Sequence, residues 1–264
     1  MQKYTLLYST CDAYDDLWKN FFILLKKYWP SFNGRIIFNS EKKFYQNEAY
    51  NIVNVEHPTD NLSWSDRLYD ALKLVETEYV LFVLDDFYLR DYVNTTAFNA
   101  CIDFMDANPD VMSIAFSKEP GIKKTVREID GFSFRKHFSL YKTTAHLSLY
   151  RTSFLKKILR TKESAWDFEV NSTFRSYFKK GRFICATTNS SPVFPYDYGA
   201  LVIGGKFIKN IKERFEKAES IIFSDKRECA TARPTPSKKG LFRKIRKLKY
   251  PIKGLLSFLK ARPK

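Results

Sequence analysis

Along the first ninety residues the hydrophobic pattern switches between two periods. Tyr4 to Tyr8 is a short apolar run of strand length. Asp15 to Tyr28 carries apolar residues at helical spacing and stops near Pro30, while Arg35 to Asn39 and Asn51 to Val55 again read as strands. Ser63-Trp-Ser-Asp66 has the form of a capping box with Asp standing in for Glu. It opens a predicted helix over Trp64 to Val75, whose Leu68, Leu72 and Val75 face inward. Tyr79-Val-Leu-Phe-Val-Leu84 is apolar without interruption, the mark of a strand buried on both faces, and it ends in two adjacent carboxylates, Asp85 and Asp86. Such alternation predicts an α/β fold with a mostly parallel central sheet and helices on both sides.

Beyond this point the pattern predicts a helix over Thr95 to Asn108, an extended segment over Val111 to Phe116, a strand over Leu147 to Tyr150, a helix over Trp166 to Lys180 and a strand over Arg182 to Ala186. Residues 117 to 140 mix charge and aromatics with weak periodicity. A loop rich in Ser, Pro, Tyr and Gly runs through Lys206, and Ile208 to Ile221 closes the body as a helix. The domain expectation is therefore a body over 1–222, a linker over 223–240 with two prolines, and a tail over 241–264.

The tail changes how the charge is read. The chain of 264 residues has a formal net charge of +16, which would suit a nucleic-acid binder. Residues 223–264, however, hold 14 Lys and Arg against 2 Asp and Glu, leaving only +4 on residues 1–222. Within the tail Leu241, Phe242, Ile245, Leu248, Ile252, Leu255, Leu256 and Leu259 recur at spacings of three and four, with Arg243, Lys244, Arg246, Lys247 and Lys249 on the other face and Pro251 as a kink. A basic amphipathic segment of this kind holds a protein reversibly on anionic lipid, each basic residue contributing on the order of 1 kcal/mol. No run reaches the roughly 18 apolar residues of a membrane span and no signal-peptide core opens the chain. The expectation is a cytoplasmic body attached peripherally to the inner face of the plasma membrane, with no specific nucleic acid as partner. Cys11, Cys101, Cys185 and Cys229 are scattered, with no C-x-x-C pair, and read as free thiols.

Several chemistries drop out. The sequence has no G-x-G-x-x-G after a strand, no G-x-x-x-x-G-K-[ST], no H-E-x-x-H and no G-x-S-x-G, and His57, His137 and His146 stand in unrelated contexts. What remains is a strand delivering two carboxylates to the carboxyl edge of an α/β sheet, where such folds bind ligands. Paired carboxylates repel, and a hard divalent cation that also grips nucleotide phosphates gives a reason to keep Asp85 and Asp86 together.

In order along the chain these features resemble the GT-A glycosyltransferases, in particular the family 2-like enzymes of bacterial surface-polysaccharide synthesis, over roughly residues 1 to 210. The resemblance implies a nucleotide-sugar donor, inverting chemistry and a metal, Mn²⁺ or Mg²⁺, on Asp85 and Asp86, with metal-independence as the alternative. It places Thr10, Asp12 and Tyr14 of the first loop on the nucleoside, with Glu41 as a second acid. Arg67 falls where the family has an Arg-Asn pair, Leu68 replacing the Asn, and faces the donor diphosphate. Asp85-Asp86-Phe87 lacks the final acid of a strict D-x-D, so Asp85 aligns with either the first or the last acid, and the spacing from Arg67 favours the last, with Asp85 the main metal ligand and Asp86 its partner or a ribose contact. In Glu163-Ser-Ala-Trp166-Asp167-Phe168-Glu169 the resemblance implies a general base, Glu169 in preference to Asp167, with Trp166 as a wall for the acceptor. His146 and Tyr198 fall among acceptor contacts, and Lys206, after the paired glycines, faces the leaving diphosphate. The implied acceptor is a polyprenyl-linked or growing surface glycan. Two rival expectations are a sugar nucleotidyltransferase, whose Gly-rich opening loop Ser9-Thr10-Cys11-Asp12 lacks, and a nucleic-acid or anionic-surface module acting through the tail.

Overall fold

A computed structural model describes residues 2–196, 201–230 and 254–262. Its centre is a nine-stranded sheet. The first four strands, β1 (Tyr4–Ser9), β2 (Arg35–Asn39), β3 (Asn51–Asn54) and β4 (Tyr79–Leu84), are joined through α1 (Asp15–Tyr28) and α2 (Trp64–Lys73). There follow α3 (Thr95–Ala107), β5 (Val111–Lys118), the hairpin β6 (Ile122–Thr125) and β7 (Phe132–Arg135), β8 (Ser148–Arg151), α4 (Thr152–Ile158), α5 (Ala165–Ser176) and β9 (Arg182–Ala186). The spatial order is β3-β2-β1-β4-β8-β5-β9-β7-β6.

The sheet is mixed. The parallel character predicted from the alternation holds across β3-β2-β1-β4 and between β5 and β9, whereas β8 runs antiparallel between β4 and β5, and β7 and β6 close the far edge antiparallel. The insertion of β8 matters for the site. Because it runs against β4, its beginning lies beside the end of β4, so the residues just before Ser148 share an edge with Asp85.

The uninterrupted apolar runs are explained by burial on two faces. Alternate residues of one strand enter different cores: Leu6, Tyr8, Ile36, Phe38, Tyr79 and Leu81 pack with α1 and α3 on one face, while Leu7, Ile37, Val80 and Phe82 pack with α2, α4 and α5 on the other. On the first face Tyr8 stacks on Phe38 at 5.1 Å, and Trp18 meets Phe38 edge-on at 4.8 Å.

Helices α2 and α5 are tied together at their starts. Ser63 caps α2 and Ser164 caps α5, the latter in a capping box closed by Asp167. Between them Glu163, fully buried, accepts a bidentate pair from Arg175 Nη1 and Nη2 at 2.8 Å each and a third bond from Asn171 Nδ2 at 2.9 Å. The Glu163 backbone exchanges bonds with Ser65 in α2, N–H to Oγ at 2.9 Å and C=O from the Ser65 N–H at 3.0 Å. Glu163→Ala leaves the Arg175 guanidinium buried without its charge partner, and urea unfolding should show a loss of about 3–5 kcal/mol.

The chain between Phe223 and Ala230, expected to begin the linker, belongs to the body. Phe223 is buried against Tyr88 and Phe207. A small second sheet forms from β10 (Val202–Ile203), β11 (Lys206–Ile208) and β12 (Cys229–Ala230), with α6 (Lys209–Glu219) following β11. Apolar residues at 207, 208, 223 and 230 need this cover, and that need overrode the polar look of 224–228. Residues 254–262 of the predicted tail also lie on the body, and most of 241–264 falls outside the described residues. No helix of the described residues is long and apolar enough to cross a membrane. The four cysteines are unpaired.

Candidate active site

A cleft of about 670 Å³ opens at the carboxyl edge of β1 and β4. Its floor is set by register: Ser9 and Leu84 are parallel partners, so the next residues, Thr10 and Asp85, meet directly. Thr10 donates its hydroxyl to Asp85 Oδ2 and accepts from Trp18 Nε1 at 2.8 Å, which fixes both rotamers. Burial, then the neighbouring charge of Asp86, pushes the Asp85 carboxyl well above the usual carboxylate range. Burial likewise pushes Asp86 up to about 6, although the Val202 N–H and the charges of His146 and Arg227 work in the other direction.

Two crowded carboxylates, Asp85 buried and Asp86 half-buried, repel each other unless a cation joins them. Among the described residues no cluster of three His, Cys, Asp or Glu forms a self-sufficient metal cage. Hard oxygen donors, two in number and open to the cleft, fit an Mg²⁺ or Mn²⁺ ion that completes its shell with water and substrate phosphate.

Arg67, on the first inward turn of α2, forms one wall. Its partner is Glu41, whose Oε1 lies 2.9 Å from Nη1. The buried Arg67 Nε and the buried Ser9 hydroxyl, both belonging to cleft residues, have no hydrogen-bond partner within the protein. Both are free to donate to a ligand in the cleft.

Beyond Arg67 a second hollow of about 220 Å³ is lined by Asp12, Glu41, His57 and Asp60. Asp12 does not offer its carboxylate outward. It gathers the backbone N–H groups of Glu41, Lys42 and Lys43 at 3.1 Å each. Burial opposes its ionisation, but those three bonds outweigh it and hold the carboxyl below its ordinary value. Asp12 and Glu41 therefore bind the loops after β1 and β2 to each other, Glu41 accepting in return from the Asp12 N–H at 3.1 Å.

Across the cleft from the carboxylates stand Glu169, Trp166 and His146. Glu169 is buried at the cleft wall, where Oε1 accepts from Thr144 Oγ1 and from the Ala145 N–H, both at 2.8 Å. Trp166, one turn earlier, is 80% exposed and lines the same cleft. Asp167 is turned away: its carboxylate closes the helix cap, accepting from Ser164 Oγ at 2.8 Å and from the Ser164 N–H at 3.3 Å. Of the two acids at the start of α5, the structure brings only Glu169 into the cleft. His146 lines it as well, with Nδ1 3.0 Å from Glu119 Oε1. Burial opposes its protonation, yet Glu119, Glu169 and Asp86 together raise its pKa. Lys206 stands outside the cleft, where it ion-pairs with Glu228 at 2.5 Å. Gly204, rather than the lysine, reaches the cleft. Gly204 and Gly205, at φ +59° and +79°, make the two-residue turn between β10 and β11 that only glycine takes easily. Tyr198 lies outside the described residues.

Sequence reasoning missed Arg227. Its guanidinium lies 4.1 Å from the centroid of the Tyr14 ring, pairs with Asp16 through Nη2 at 2.8 Å and Nε at 3.0 Å, and donates to the carbonyls of Ala13 and Gly205. It therefore clamps the first loop to the glycine turn, and its charge acts on Asp85 and Asp86. No local pattern could have found it, since its partners Ala13, Tyr14 and Asp16 lie more than two hundred residues away. Arg227→Ala should cost about 1–3 kcal/mol in urea unfolding, the loss of one stacked and ion-paired cation.

No protein-family model matches the sequence, and no curated protein matches it. Solved structures do. S. aureus TarS 1–349 in complex with UDP-GlcNAc superposes with a TM-score of 0.52 at 17% identity, covering 75% of this chain and 58% of that one. The same fragment in complex with UDP gives 0.51 at 16% identity, over 75% and 60%. The fold is GT-A-like. A glucosyl-3-phosphoglycerate synthase from Mycobacterium tuberculosis in complex with Mn²⁺ and UDP-glucose is a more distant neighbour, with a TM-score of 0.46 at 9% identity over 84% of this chain and 81% of that one. The chain thus spans less than two thirds of the TarS fragment it matches.

Proposed function

We propose that this GT-A-like protein is an inverting hexosyltransferase that moves a sugar from a uridine diphosphate donor to a lipid-linked or growing surface glycan. The observation that carries the reading is one continuous cleft joining Arg67, Asp85 and Asp86 at one end to Glu169 and Trp166 at the other. Transfer of a glycosyl group needs both ends: a place for the charge of a departing diphosphate, and a base beside the attacking hydroxyl. The UDP-GlcNAc and UDP held by the S. aureus structures of the same fold support a uridine donor.

In this mechanism the diphosphate lies over Ser9 and Arg67, whose unpartnered O–H and Nε–H donate to its oxygens. Asp85 and Asp86 would hold the Mg²⁺ or Mn²⁺ ion, which when bound supplies positive charge against the diphosphate. Tyr14, stiffened by Arg227, flanks the nucleoside. Trp166 offers an aromatic face to the acceptor sugar, and Glu169 takes the proton of its hydroxyl while Thr144 and Ala145 hold the carboxylate in place. The sugar's anomeric carbon is attacked from the side opposite the diphosphate, so its configuration inverts. The basic amphipathic pattern of 241–264 supports a peripheral seat on the anionic inner leaflet of the plasma membrane, where a polyprenyl-linked acceptor would be met.

The test is calorimetric titration with UDP, GDP, CDP and TDP, with and without Mn²⁺, on the wild type and the Asp85→Ala/Asp86→Ala double variant. Binding of UDP that requires Mn²⁺ and vanishes in the variant is the expected result. Failure of all four to bind in any condition overturns the reading.

A further inference from the structure

We propose that an apolar, cation-rimmed face at the far end of α5 docks on an anionic lipid surface, so that the folded body as well as the basic tail touches the membrane. This deepens the membrane seat argued above and does not depend on the donor chemistry.

Three segments separated in sequence build the face. The turn after β7 carries Phe138 and Leu140, the end of α5 leads into Phe178, and residues 254–262 lie alongside. The parts form one surface: Phe138 meets Tyr177 at 5.3 Å, Tyr177 meets Phe174 at 5.6 Å, Phe174 meets Phe178 at 6.0 Å, and Phe178 meets Phe258 at 5.4 Å. The last segment is seated firmly. A Cβ on Gly254 would fall 2.4 Å from the Phe174 ring, Ser257 is buried, and the Ala261 carbonyl accepts from the Thr161 N–H at 3.1 Å. Yet the large apolar side chains of this surface point outward, Phe138 at 75%, Phe178 at 64% and Leu259 at 83% exposure, with Leu140, Leu255 and Leu256 beside them. A contiguous exposed apolar patch marks a surface meant to be covered.

Charge selects what covers it. Residues 136–142, 174–182 and 254–262 contain no Asp or Glu, and within them Lys136, Lys180 and Arg262 are exposed and Lys179 and Lys260 half-exposed, Lys260 donating to the Lys162 carbonyl at 2.9 Å. A second copy of the chain, docking through the same patch about a two-fold axis, would set these cations against their own kind. A nucleic acid would answer the cations but not the leucines and phenylalanines. Anionic lipid answers both, since side chains of this type enter the acyl boundary while lysine and arginine meet headgroup phosphate. The chain itself links the patch to the cleft: residues 138–141 run directly into 144–146, which hold Glu169 and line the acceptor side.

The experiment is co-sedimentation of the full chain with vesicles of phosphatidylglycerol and phosphatidylcholine, and with phosphatidylcholine alone. The variants are Phe138→Ser/Leu140→Ser/Phe178→Ser, the surface charge reversal Lys179→Glu/Lys180→Glu, and a tail variant with Arg243, Lys244, Arg246, Lys247 and Lys249 all changed to Gln. The wild type is expected to bind the anionic vesicles only. Both body variants should bind them at least about tenfold more weakly, while melting and binding UDP as the wild type does. Undiminished vesicle binding by both body variants, with loss in the tail variant alone, assigns lipid contact to the tail and overturns the proposal without touching the glycosyltransferase reading. Absence of wild-type binding to anionic vesicles also overturns it, as does a dimer in sedimentation velocity that the triple variant abolishes.

Discussion

Glu169→Gln should lower kcat by about 10²–10⁴-fold while leaving UDP binding unchanged. The substitution is nearly isosteric, and the Gln carbonyl oxygen can still accept from Thr144 Oγ1 and the Ala145 N–H, so the wall of the cleft keeps its shape. Only the capacity to take a proton goes. Steady-state kinetics with a UDP-sugar, beside calorimetry with UDP, separates the two quantities. The rival base is on the same wall: His146, backed by Glu119, also lines the cleft. If His146 accepts the proton, His146→Gln will carry the large loss and Glu169→Gln a small one. Asp167→Asn is the control. It disturbs the cap of α5, costs about 1 kcal/mol of stability, and spares the chemistry.

The second large effect runs in opposite directions for stability and activity. Asp86→Asn should reduce turnover by about 10²–10³-fold, the scale for losing one preorganised electrostatic group, while making the ligand-free protein more stable at pH 7.5. The sign follows from the raised pKa. A carboxyl that titrates near 6 when folded and near 4 when unfolded binds its proton more tightly in the folded state, so the wild type loses stability as pH rises through that interval. Above pH 6 the half-buried negative charge is fully unfavourable, and the amide removes it. Because Asp86 is partly exposed, the gain is roughly 1–2 kcal/mol rather than the full value of the shift. Thermal melts at pH 7.5 should favour the variant, and the difference should fade as pH is lowered towards 4. Added UDP and Mn²⁺ should reverse the order, because ligand stabilises only the form that binds it.

The elements most legible in the sequence are those buried on two faces or caught between caps. The strand Tyr79–Leu84 coincides with the apolar run, α1 matches Asp15 to Tyr28, and Ser63 with Asp66 sets the start of α2. The segment Thr152–Ile158 went unread as a helix because two turns offer too little periodicity, and its Phe154, Leu155 and Ile158 could as well have continued β8. The hairpin of β6 and β7 lies at a sheet edge, where β6 faces water and loses its alternation. Strand direction was not written locally either: nothing in Ser148–Arg151 says that it inserts antiparallel between β4 and β5.

Much of the candidate site was visible by contrast, because chemistry at a strand end is local. Arg67, Asp85, Asp86, Trp166 and Glu169 converge on one cleft. The groups that hold them were less visible. Glu119 sits in the weakly periodic stretch and gains meaning only beside His146, and Asp12 looks like a ligand until its carboxylate is seen gathering three backbone N–H groups. Lys206 is diverted by Glu228, which sequence proximity to the glycine pair could not disclose.

The clamp of Arg227 on Tyr14 also sets a timetable. The loop after β1 leaves the ribosome among the first fifteen residues, but the side chain that stiffens it arrives more than two hundred residues later, on the short run that adds β12 to the small sheet. During synthesis the large sheet can assemble around β1 and β4 well before the cleft is braced. A nascent chain therefore folds its scaffold first and braces its cleft only near the completion of the body.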